Sequence, residues 1–148
     1  YWSESSLFYK NLKKTDIGSK ALERVLRKLG QKKAKSGKYT MVVDYLNVTQ
    51  LGNPLLSALL GSALQQKNSF LLDKLGKNVL GEKLTIKDTP HAPGFMGSRW
   101  FDSEGIATKE MEIVSEGVPQ LYFLNSYFAN KLNRRGTFAY VFCIYFYC

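Results

Sequence analysis

The chain has 148 residues, 45% of them apolar, a formal net charge of +9, two cysteines and one histidine. That length suits one core of ordinary domain size, two cysteines exclude a disulfide framework, and no run of about 18 apolar residues offers a helical membrane span. The positive charge is local: residues 1 to 38 hold eleven Lys/Arg against three acids, whereas residues 39 to 148 hold ten against nine.

The basic run Lys10, Lys13, Lys14, Lys20, Arg24, Arg27, Lys28, Lys32, Lys33, Lys35 and Lys38 could neutralise phosphates or simply solvate an exposed helix and linker. The opening Tyr1, Trp2, Ser3 and Glu4 lack an initiator Met and a signal pattern, so the chain is expected to begin inside a longer protein. Cysteine usage points to a reducing, cytoplasmic setting.

In chain order, Ile17, Ala21, Leu22, Val25, Leu26 and Leu29 recur at helical spacing, with Asp16 or Ser19 placed to cap the helix and Gly30 to stop it. A polar loop follows, and then residues 39 to 44, short and β-branched, read as a buried strand. A second helix is expected from Asn53 or Pro54 to about Gln66, because proline suits a first helical position and Leu55, Leu56, Leu59, Leu60, Ala63 and Leu64 form an apolar stripe.

Residues 84 to 87 form a candidate strand, and residues 88 to 98, rich in Pro and Gly, an ordered surface loop. Strands over about 107 to 115 and 118 to 125 flank the turn Glu116-Gly117, with Met111, Ile113, Leu121 and Phe123 alternating as a half-buried hairpin requires. A short helix over 126 to 132 precedes an aromatic tail from Phe138 to Tyr147, either a terminal strand buried by a partner or a segment foreign to the protein. The fold class expected is α+β, with an antiparallel sheet or a partly closed, barrel-like sheet and packed helices.

Chemistry is scarce. A catalytic zinc needs about three side-chain ligands, and His91 stands alone in the loop Thr89-Pro90-His91-Ala92-Pro93-Gly94, where it could contact a substrate or fill a turn. Cys143 and Cys148 have no cationic neighbour to activate a thiolate. Asp102 and Glu104 could act as acid and base, but Arg99 nearby suggests an ion pair or an Asx turn instead. Neither a Walker loop nor a dinucleotide fingerprint is present.

The stretch from Gly97 to Thr108, GSRWFDSEGIAT, followed by Glu116-Gly117-Val118 and by residues 124 to 132, LNSYFANKL, resembles the TldD/PmbA family, once called modulators of DNA gyrase. The matching family patterns are GSR-x-x-D-x-EG-x-x-T, an ENGVL-type hairpin and an L-x-S-x-x-A-x-K-L helix. Ser69 to Gly76 resembles the family's SFLLGKLG segment, and the likeness spans about residues 39 to 135.

The family implies a two-subunit protease in which the TldD-type member carries zinc on a His-Glu-x-x-x-His helix and the PmbA, or TldE, type lacks that motif. By this resemblance Asn53, Pro54 and Ala58 stand where His, Glu and His would be, so the chain resembles the second type, with no catalytic or metal-binding residue of its own and zinc expected in a TldD-like partner. His91, Arg99, Asp102 and Glu104 become candidates for a substrate-channel loop. The implied partners are a TldD-like subunit and an unfolded peptide, rather than nucleic acid or membrane; a homo-oligomer remains open.

The implied organisation is a basic helix and linker over 1 to 38, ending a preceding region, then the core of a C-terminal domain over 39 to 137, then the aromatic tail. The likeness stops after Arg134-Arg135-Gly136-Thr137, which suggests truncation or a frameshift. The rival readings are a basic module that binds nucleic acid or a partner, and a non-functional fragment.

Overall fold

The computed structural model describes residues 1–12, 16–137 and 144–147. It divides into two compact units, Tyr1–Val42 and Val43–Cys148. In the first, a 3-10 turn at Tyr9–Asn11 precedes helix α1, Ile17–Leu26. Asp16 adopts a left-handed conformation (φ 71°) and its side chain makes no capping bond, so α1 starts without the expected carboxylate cap. Trp2 attracts Lys20 and Arg24, whose cations lie 5.4 and 5.2 Å from its ring centroid, and Lys20 also pairs with Glu4 at 2.6 Å. Leu22, Val25, Leu26 and Leu29 are exposed.

Residues 39–44 differ from the expected buried strand: they lack regular structure, and Val42 is 93% exposed. A strand is stable only beside another strand, and β-branched composition does not supply one. Asp44 instead caps helix α2, Tyr45–Ala58, its carboxylate accepting the Leu46 N–H at 2.9 Å. The second helix therefore begins well before Asn53, and Pro54 sits inside it rather than at its first turn.

The expected single helix to Gln66 is also interrupted. Leu60 is extended (φ −70°, ψ 141°), and the break is stitched to the chain at Phe123, whose N–H donates to the Leu59 carbonyl while the Gly61 N–H donates to the Phe123 carbonyl. Helix α3, Gly61–Gln65, resumes beyond the break. Its Gly61 permits contact with Phe128 on helix α4, Ser126–Lys131; an added Cβ would lie 2.6 Å from Phe128 Cβ. Ser69 closes the end of α2 by donating its hydroxyl to the Ala58 carbonyl.

The sheet runs β3-β2-β1-β4, all antiparallel: β1 is Thr85–Asp88, β2 Met111–Ser115, β3 Val118–Pro119 and β4 Ile144–Tyr147. It is open, with β3 and β4 at its margins, so the α+β antiparallel expectation holds without barrel closure. Strands β2 and β3 meet at Glu116 (φ 46°) and Gly117 (φ 82°), the two left-handed residues a tight hairpin requires.

The hairpin departs from simple alternation. A register shift between Ile86 and Lys87 lets adjacent residues Ile113 and Val114 both lie in the core. Beyond Pro119 the chain leaves the sheet for α2 and α3, which shortens β3. The core joins Ala58, Leu59, Leu64 and Leu71 to Ile86, Ile113, Val114 and Tyr122. The buried Tyr122 hydroxyl donates to the Leu71 carbonyl at 2.7 Å and accepts the Lys74 N–H at 3.3 Å. The tail expectation falls partly on Phe138–Cys143 and Cys148, outside the described residues; Ile144–Tyr147 pairs with β1.

Candidate functional site

The loop between β1 and β2 is organised by Thr108, a buried residue whose hydroxyl donates to the Arg99 carbonyl at 2.6 Å. That single hydroxyl proton is committed, so the contact between His91 Nε2 and Thr108 Oγ1 at 3.1 Å requires the imidazole nitrogen to donate. In the neutral ring, Nδ1 is then the acceptor. His91 also stacks on the largely exposed Trp100 with ring centroids 4.7 Å apart. Arg99 and Ser98 both anchor to the Pro90 carbonyl, through the Arg99 N–H at 2.8 Å and the Ser98 hydroxyl at 3.0 Å.

Asp102, 6% exposed, accepts the N–H groups of Glu104 and Ile106 on one carboxylate oxygen, each at 2.9 Å. This is an Asx turn. Glu104 points to the start of α4, accepting the Ser126 N–H at 3.0 Å and the Ser126 hydroxyl at 2.9 Å. Thus the four loop candidates share one ordered segment, in which the Asp102 and Glu104 carboxylates hold backbone N–H groups. Asp102→Ala, which leaves two N–H groups without their acceptor, is expected to lower stability by about 2 kcal/mol in urea unfolding.

A cleft of about 560 Å³ opens beside β2. Leu121 and Leu124 contribute apolar surface, Lys109, Glu110 and Glu112 line one side, and Arg135 to Thr137 line another. His91, Arg99, Asp102 and Glu104 are not in its lining, although Glu104 holds Ser126, which is. Ile106, Leu124 and Ser126 belong to the stretches 97–108 and 124–132, and Arg135 to Thr137 are held beside them as the Thr137 N–H donates to the Leu124 carbonyl and the Thr137 hydroxyl to that of Tyr122.

The remaining candidates lie on α2. Asn53 and Pro54 are exposed, while Ala58 is buried against the core. Their side chains are one amide and two hydrocarbon groups, a donor set that does not fit zinc. Among the described residues no group of three or more His, Cys, Asp or Glu could hold a metal ion. Nor, among them, is any helix long and apolar enough to cross a membrane.

The family profile of the PmbA/TldA metallopeptidase C-terminal domain matches residues 36–141. The chain is 34% identical over 121 residues to Metalloprotease PmbA of Escherichia coli, covering 82% of this chain and 27% of that protein. Among solved structures it is similar to a protein of Bacteroides thetaiotaomicron described as a modulator of DNA gyrase, with a TM-score of 0.91 and 51% identity over 95% of this chain and 32% of that one. TldE of Thermococcus kodakarensis is similar more distantly, with a TM-score of 0.51 and 25% identity, covering 56% of this chain and 19% of that one. The chain thus spans about a quarter of the curated relative's length, and, matched over most of its residues, it belongs to the PmbA/TldD family of metallopeptidase-related proteins.

Proposed function

We propose that the chain is part of the C-terminal domain of a PmbA/TldE-type subunit that does not itself cleave, and that it works in the cytoplasm with a TldD-type zinc subunit on unfolded peptides. What supports this reading is α2, where by the family resemblance Asn53, Pro54 and Ala58 stand in the places of a zinc helix's ligands and base, and where Ala58 is packed into the core. The similarity to TldE supports the same assignment. The contribution of these residues is binding and shape: a loop stiffened by Thr108 and Asp102, and a cleft beside a strand.

The test uses the full-length native protein, alone and mixed with a TldD-type subunit of the same source, with an unfolded peptide as substrate and bound zinc measured for each. Cleavage is expected only in the mixture, with zinc carried by the partner. Zinc-dependent cleavage by this protein alone overturns the reading.

A further inference from the structure

Helix α1 is covered on its polar side. Leu22, Val25, Leu26 and Leu29 follow the i, i+3, i+4, i+7 spacing that gathers side chains on one helix face, and they are 59, 51, 53 and 71% exposed. The residues before the helix meet its other face: Trp2 lies against Lys20 and Arg24, and Glu4 pairs with Lys20. No described residue of the Tyr1–Val42 unit is buried, so among the described residues the unit has no core to hold the ten residues of α1. A helix of that length is marginal in water on propensity alone and is held by burial of its apolar face. Tyr39, Met41 and Val42 add exposed apolar surface at the end of the unit.

The comparisons bear on what covers this face. The C-terminal-domain profile starts at residue 36, which leaves α1 outside it, and the chain spans 27% of the curated relative and 32% of the solved one. A domain at the C-terminus puts the greater part of those relatives ahead of it, on the side of the chain where α1 lies. A surface of the same polypeptide meets the leucine face at high effective concentration and without the entropy loss of a separate association.

We propose that Leu22, Val25, Leu26 and Leu29 dock on the polypeptide that precedes Tyr1 in the full-length protein, and that α1 thereby completes the core of the preceding domain. The docking rests on α1 and on family membership, and it stands whether or not the subunit reading above does.

Hydroxyl-radical footprinting of the full-length wild-type protein, in the fraction that sediments as a monomer and with no TldD-type subunit added, tests the burial without any substitution. The four residues are expected to be modified about tenfold more slowly than in urea, since side chains buried in a domain react only when it opens. Benzoylphenylalanine in place of Leu26, photolysed in the same monomer, is expected to crosslink to residues that precede Tyr1 within one polypeptide. Modification of the four residues as fast as in urea, protection that arises only in a dimer or only when the TldD-type subunit is added, or crosslinks that do not reach residues before Tyr1 overturns the proposal. Peptide cleavage by the two-subunit mixture with these residues unprotected defeats this docking alone, whereas protection without cleavage in the mixture defeats the subunit reading.

Discussion

Gly117→Ala is expected to destabilise the Val43–Cys148 unit by about 3 kcal/mol or more, combining a left-handed backbone penalty with a steric clash. Gly117 has φ +82°, and a Cβ there would lie 2.6 Å from the Leu80 carbonyl oxygen and 2.9 Å from that of Gly81. Both obstacles are backbone atoms, which cannot swing aside as a side chain can. They are also tied in place, since the Leu80 N–H donates to the Gly117 carbonyl and the Gly117 N–H donates to the Leu84 carbonyl. Gly105 supplies the control: its φ is +78°, yet nothing lies within 4 Å of its built Cβ. Gly105→Ala is therefore expected to lose only the conformational part, about 1–2 kcal/mol. Equal losses for the two variants in urea unfolding would mean that the close approach at Gly117 contributes nothing.

Gly61→Ala is expected to cost about 2–3 kcal/mol by overpacking. The added methyl would meet Phe128 Cβ at 2.6 Å, Phe128 Cγ at 2.7 Å and Leu124 Cδ2 at 3.1 Å. Here the obstacle is a side chain, so the effect is separable by a double-mutant cycle. Phe128→Gly, which removes both Cβ and Cγ, alone costs apolar contact, but in its presence Gly61→Ala should meet only Leu124 Cδ2 and lose most of its cost, with a coupling of about 1–2 kcal/mol. Additive losses would show that α3 and α4 do not meet through this pair.

Local chemistry was legible wherever it was settled within a few residues. Asp102 announces an Asx turn and Glu116-Gly117 a tight hairpin, and each has that role in the structure. Legibility failed where a distant partner decides. Residues 39–44 have strand composition without a strand beside them, and the Leu59–Leu60 break depends on bonds to Phe123 that no local periodicity encodes. The same holds for function. No local spacing brings Lys109, Glu110 and Arg135 together; they become neighbours of one cleft through the path of the chain after Pro119.

Pro54 gives α2 an internal seam. Lacking an N–H, it leaves the Gln50 carbonyl without the usual bond from four residues ahead. On one side of the seam Leu46 and Leu51 are exposed; on the other Leu55 and Leu56 pack on the core and Ala58 and Leu59 lie within it. The helix is therefore two thermodynamic pieces, an outer one that can fray at little cost and an inner one that opens only with the core. Asn53 belongs to the first and Ala58 to the second. Backbone amides up to Asn53 are therefore expected to exchange with solvent without the core opening, while those from Leu55 to Leu59 exchange only when it does.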